Sequence, residues 1–313
     1  MASSPPAYFF DRDYRDNSRI NLQHYYWEQL FGYLTHPSIS LNNARMRIAD
    51  VGTGTAIWLS ELASSLPETV QLDGLDVSLQ AAPPPQWLPA NVTLRRFDIK
   101  NPAVPPELIG AYDVVHIRNF AFVLRDDEIP GSLARLVALL RPGGYLQWGE
   151  ADVASFRIEK VTAAPAARDT TNGKRDEGPN GTNLTAQDRE IQTDALARLF
   201  RLSQSQDPRL SPTWVPRLPG LFLAAGLENV QADVRDAPPH LAFSMHEGNL
   251  SVHEMIARQT KKKEAVLEEL SELMPLVASE THQGACWAFT RRTVVGRKSA
   301  AGRRRVVVSG ASG

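Results

Sequence analysis

The 313-residue sequence predicts an α/β fold: a seven-stranded, mostly parallel sheet with flanking helices and an N-terminal helical lid. Three observations predict it. From Met46 onward, short apolar runs alternate with longer amphipathic segments, the pattern of a parallel sheet covered by helices. The first run, RIADV, breaks into Gly52-Thr53-Gly54 just before a helical segment, which is a tight strand-to-helix turn. Three successive runs end at Asp50, Asp76 and Asp98, so their carboxylates fall at one edge of such a sheet.

Taken in order, residues 18–34 read as a helix capped by Ser18, with Leu22, Tyr26, Leu30 and Tyr33 on one face and Pro37 beyond its end. Residues 1–45 form the lid. Strands are expected at 47–51, 70–77, 92–97, 113–117 and 145–148, with helices at 56–66, near Glu107 and at 129–140, so that 46–160 is the ligand-binding core. Residues 162–186 contain one large apolar residue, Leu184, and ordering them would bury almost nothing, so 161–187 reads as a flexible insertion. Helices at 188–203 and 214–225, the latter ended by Gly226, a strand at 229–234, a helix at 245–274 and a last strand at 285–295 complete the fold. Residues 188–296 thus form its C-terminal part with substrate-side helices, and 297–313 a disordered basic tail.

Composition narrows the function. Hydrophobic residues at 42% and charged residues at 22% exclude a disordered, collagenous or coiled-coil chain. Lys plus Arg (34) against Asp plus Glu (35) leaves no global field to hold nucleic acid or an anionic membrane. Cys286, the single cysteine, can form neither an internal disulfide nor a metal cluster and suits a reducing compartment. The N-terminus lacks a secretory pattern and no apolar run approaches the ~18 residues of a membrane span, so a cytoplasmic location is expected. His240, His246 and His253 do not share one helix face at ligand spacing, and no metal is predicted.

The glycine turn carries the chemistry. Asp76 ends the second strand 22 residues after Gly54, where a carboxylate meets the ribose hydroxyls of a nucleotide-like cofactor. Phe97-Asp98-Ile99 then offers an acceptor beside an apolar wall for an adenine. A dinucleotide wants a third glycine where Ala56 stands, and a P-loop wants a lysine that is absent. A nucleoside with an amino-acid tail in place of phosphates fits, and S-adenosylmethionine is such a molecule.

These segments resemble the class I S-adenosylmethionine-dependent methyltransferases: DVGTGTA as the first motif, GLDVS as the second, FDI as the third, then YDVVHIRN and LLRPGGYLQWGE. RDYRDNSRINLQHYYW at 12–27 and PPPQWLPANV at 83–92 are similar to the fungal secondary-metabolism branch, which includes regulators of biosynthetic clusters. The resemblance implies a Rossmann-like methyltransferase sheet. It places Asp50, Gly52, Thr53 and Gly54 around the methionine part of the cofactor, Asp76 with Val77 at the ribose, Asp98 and Ile99 at the adenine, and Arg118 and Asn119 at the sulfonium end. Gly149 departs from the acidic residue expected before Glu150.

Methyl transfer from a sulfonium is an in-line displacement helped by alignment and, for a protonated acceptor, by a base. Candidate bases are His116, His24 and Glu150, with His116 preferred because it lies at the carboxyl edge of the sheet. Tyr8, Tyr14, Tyr25 and Trp27 are candidates to line an apolar substrate pocket beneath the lid. The expected partner is a small, largely apolar secondary metabolite, neither nucleic acid nor membrane. The acceptor atom and the oligomeric state stay open. Alternatives are a methyltransferase-fold regulator, or an enzyme that uses the cofactor without transferring its methyl group.

Overall fold

A computed structural model describes residues 10, 12–161, 192–258 and 263–300. The chain divides into two compact units: one holds the residues up to Ser155, Asp207–Pro238 and those from Phe289 onward, the other Phe156–Gln206 and Pro239–Ala288. The division interleaves the chain.

The elements run α1 (Tyr14–Phe31), β1 (Arg47–Val51), α2 (Ile57–Ser65), β2 (Gln71–Asp76), β3 (Val92–Arg96), β4 (Tyr112–Arg118), α3 (Ile129–Leu139), β5 (Leu140–Lys160), α4 (Asp194–Gln204), α5 (Leu218–Ala224), β6 (Leu227–Arg235), α6 (Pro239–Arg258), α7 (Lys263–His282) and β7 (Ala285–Lys298). The seven strands form one sheet in the order β3-β2-β1-β4-β5-β7-β6. β1 pairs in parallel with β2 and β4, as do β2 with β3 and β4 with β5, whereas β6 and β7 pair antiparallel. The order reverses between β1 and β4, the switch point at which open α/β sheets bind ligands.

The inner strands are apolar because both faces are covered. Ile48, Leu72 and Val114 are wholly buried, and Trp58, Leu59 and Leu62 of α2 pack against them. Each such Leu, Ile or Val contributes about 1.5–3 kcal/mol on burial. Leu133, Leu136 and Leu139 bury the inner face of α3.

The boundaries differ from the expected ones for local reasons. Asp13, not Ser18, caps α1: its Oδ1 accepts the amides of Arg15 and Asp16 at 3.0 and 2.9 Å. Ser18 donates to the Tyr14 carbonyl one turn back. Gly32, left-handed at φ 76°, closes the helix before Pro37 is reached. The helix expected at 245–274 is two helices, α6 and α7, and α7 continues through Pro275. β5 extends twelve residues past Trp148. Arg297 and Lys298, assigned to the tail, belong to β7: the Lys298 ammonium donates to the carbonyls of Val137 and Leu140 at 2.8 and 2.6 Å, where α3 ends. The insertion at 162–186 and the tail from 301 onward lie outside the described residues.

Within the second unit, Glu280 on α7 accepts the Ala195 and Leu196 amides at 2.8 Å each and so closes the start of α4. His253 meets Ser203 at 2.6 Å beside Phe200 and Trp287. Among the described residues, no helix is long and apolar enough to cross a membrane.

Candidate active site

β1 ends in the glycine turn. Gly52 and Gly54 have φ of 71° and 52°, and Ala56 follows at 56°. A Cβ on Gly52 would meet the Phe120 ring at 2.4 Å, so the position needs glycine for space as well as for conformation. Gly52 donates to the Leu75 carbonyl at 2.7 Å, tying the turn to β2. Asp76, at the end of β2, accepts the Gly54 amide at 3.0 Å on Oδ2 and the Ser78 amide at 3.0 Å on Oδ1. The two amides fix a carboxylate whose remaining lone pairs can accept from a diol; burial raises its pKa.

The buried Thr53 hydroxyl has no protein partner beside this turn. A bare glycine turn, an unpartnered hydroxyl and an oriented carboxylate, with no lysine for phosphate, are a donor set that fits S-adenosylmethionine. Asp98, exposed, spends Oδ1 on the Lys100 amide at 2.9 Å, next to buried Ile99. Val77 is exposed beside Asp76.

Across the β1–β4 pair, Asp50 stands opposite His116. Its Oδ1 lies 2.7 Å from His116 Nδ1, and the Trp58 ring stacks on the imidazole at 4.0 Å. A carboxylate accepts, so Nδ1 carries the proton and Nε2 keeps a lone pair. Burial lowers the His116 pKa against the pull of Asp50. Two residues on, Arg118 Nη2 donates to His24 Nδ1 at 2.9 Å. The other His24 nitrogen donates to Glu61 on α2 at 2.5 Å, so both are engaged and the ring is neutral. Burial, then Arg118 and His116, lower its pKa to about 4. Glu61 also hydrogen-bonds Glu28, whose pKa rises through burial and this neighbour. His24, Glu28 and Glu61 bring ligand-type atoms within 4.8 Å of one another.

α1 supplies its residues to the site in register. Asn17 donates to the Ala81 carbonyl after β2 at 3.2 Å, Ile20 reaches Gly54, Asn21 accepts from Thr55 at 2.7 Å, His24 meets Arg118, and Trp27 lies against Gly149 on β5. The helix therefore crosses the carboxyl ends of β2, β1, β4 and β5, at the three- and four-residue steps that put side chains on one face. Trp27 is buried, stacked on Phe31 at 4.9 Å with Arg118 5.6 Å from its ring. Tyr14 and Tyr25, 72% and 47% exposed, lie on the outer face, and Tyr8 is outside the described residues.

Glu150 is wholly buried on β5. Its Oε1 accepts from Trp148 Nε1 and the Phe120 amide at 2.6 and 2.7 Å, and its Oε2 accepts the Ala121 amide at 3.0 Å. Burial raises its pKa, while the three donors and Arg118 oppose that rise and favour the ionised form. Asn119, left-handed at φ 63° and exposed, donates its amide to the Gly149 carbonyl at 3.0 Å and opens the loop that Glu150 holds. Trp58, Glu61 and Phe120 were not singled out in the sequence, since they stand in ordinary helix and loop contexts and gain their roles only from strand order.

The sheet order, the glycine turn and the carboxylate closing β2 define a class I S-adenosylmethionine-dependent methyltransferase. The chain belongs to the methyltransferase domain family, whose profile matches residues 23–232. It is 32% identical over 214 residues to the N-methyltransferase tcpN of Claviceps purpurea, a match spanning 63% of this chain and 75% of that one. It is 36% identical over 167 residues to the methyltransferase grgD of a Penicillium species, spanning 50% and 57%. In fold it is similar to the phosphoethanolamine N-methyltransferase 2 of Haemonchus contortus, with a TM-score of 0.50 and 12% identity over 93% of this chain and 59% of that one.

Proposed function

We propose that the protein methylates a heteroatom of a small, largely apolar secondary metabolite. The N-methyltransferase name of its Claviceps relative favours nitrogen as the acceptor. The reading is carried by Asp76, a ribose-type carboxylate set by the Gly54 amide beside the left-handed glycine turn. The donor, when bound, supplies an activated methyl group on a sulfonium.

This chain's part is alignment, exclusion of water and movement of one proton. With the donor held by Asp76 and the glycine turn, the acceptor's lone pair would take the methyl group, the carbon–sulfur pair would stay on the donor's sulfur, and the acceptor proton would have to leave. We assign that proton to His116 Nε2, since Asp50 holds the ring by its other nitrogen. His24, with both nitrogens engaged, positions Arg118. α1 covers the site through Asn17, Ile20, His24 and Trp27 and keeps water from the reacting atoms. A reducing, cytoplasmic compartment suits the single buried cysteine, Cys286.

Calorimetric titration with S-adenosylhomocysteine tests the site. Asp76→Ala is expected to weaken binding by ~2–4 kcal/mol, the range for losing charge-assisted bonds to a diol. Unchanged affinity would sink the assignment. Radiolabelled S-adenosylmethionine, incubated with the protein and a metabolite extract of a strain lacking its gene, should label one small apolar product.

A further inference from the structure

We propose that Glu150 is a positioning residue, which holds the Phe120 ring against the glycine turn and thereby sets the affinity for the methyl donor; this rests on reading that turn as the donor site. Its carboxylate is not placed for proton transfer, because three donors occupy it: Trp148 Nε1 and the Phe120 amide on one oxygen, the Ala121 amide on the other. Two consecutive amides that converge on one anion form a nest, a concave site usually filled by a phosphate or another ligand. Here the chain fills it from the neighbouring strand.

What the nest holds in place is the start of the loop after β4. Asn119 leaves the sheet in a left-handed conformation with its amide on Gly149, one residue before Glu150. The next residue, Phe120, is 8% exposed, and its Cε2 and Cζ lie 2.4 and 2.5 Å from where a Gly52 Cβ would stand. The ring thus backs the Gly52 conformation from one side while Leu75 anchors the Gly52 amide from the other. Releasing the two amides frees the ring, and the turn loses its support. Glutamine cannot replace the carboxylate, since its amide group would turn a donor toward the Ala121 N–H.

A double-mutant cycle read by S-adenosylhomocysteine affinity tests this. Glu150→Gln and Phe120→Leu are each expected to weaken binding about tenfold, and the double variant about tenfold as well, because both substitutions release the same ring. Melting curves record whether each variant is folded. A multiplicative loss of about a hundredfold, or unchanged affinity in Glu150→Gln, overturns the proposal and leaves the donor site standing. Failure of the wild-type protein to bind S-adenosylhomocysteine overturns both. Amide exchange on the wild-type protein needs no variant: Phe120 and Ala121 should exchange as slowly as β4, and exchange at the rate of a free loop refutes the nest.

Discussion

The polar residues at the site divide by whether their hydrogen-bonding capacity is exhausted. His24 has both ring nitrogens engaged and Glu150 accepts three hydrogen bonds, whereas His116 retains Nε2. The proposed base is therefore tested at His116: His116→Asn should lower turnover by about 10²-fold while S-adenosylhomocysteine affinity holds. The deficit should shrink as pH rises and the acceptor loses its proton unaided. An equal deficit at every pH would assign His116 to structure alone. The sequence made the strand-end residues legible because their signals are local: a glycine turn needs two glycines three positions apart at most, and a carboxylate closing a strand needs only its own strand. The Asp50–His116 pair was not legible, since it depends on β4 lying beside β1, which no local pattern announces.

α1 serves two purposes along its length. Its second half is core, with Trp27 and Phe31 buried. Its first half, from Asp13 through Ile20, touches the loops after β1 and β2. A proline at exposed Ser18 removes a helix hydrogen bond and clashes with the preceding turn. Ser18→Pro should thus weaken S-adenosylhomocysteine binding with only a small fall in melting temperature, and a large fall with affinity intact would show that this half holds the fold together. Helix α1 was readable from its apolar face, though its start was misplaced because Ser18 and Asp13 are both capping residue types. The division into α6 and α7 was not legible, because Val266, Leu270, Leu273 and Met274 keep a helical core spacing that reads as one segment with Met245 onward.

Over the whole molecule, neutral histidines are built into both units: His24 and His116 in one, His246 and His253 in the other. Burial lowers all four, His246 to about 4 and His253 to about 3. In the unfolded chain each takes a proton near pH 6.5. Below that value the unfolded state binds protons that the folded state refuses, so stability is full above about 6.5 and falls as pH drops. Melting temperature should decline steadily from pH 7 to 5, and a flat profile over that interval would mean the four rings are hydrated.

The seat of Trp27 on Gly149 makes the order of substitution at these two positions matter. A Cβ at position 149 would stand 2.7 Å from the indole Cζ2. Any larger residue introduced there first must push the indole, and the helix carrying it, off β5. Shrinking Trp27 first leaves only a void, at a cost of about 3–5 kcal/mol for a buried tryptophan cut to alanine. The two positions are therefore coupled: a side chain at 149 calls for a smaller residue at 27, whereas a smaller residue at 27 calls for nothing at 149.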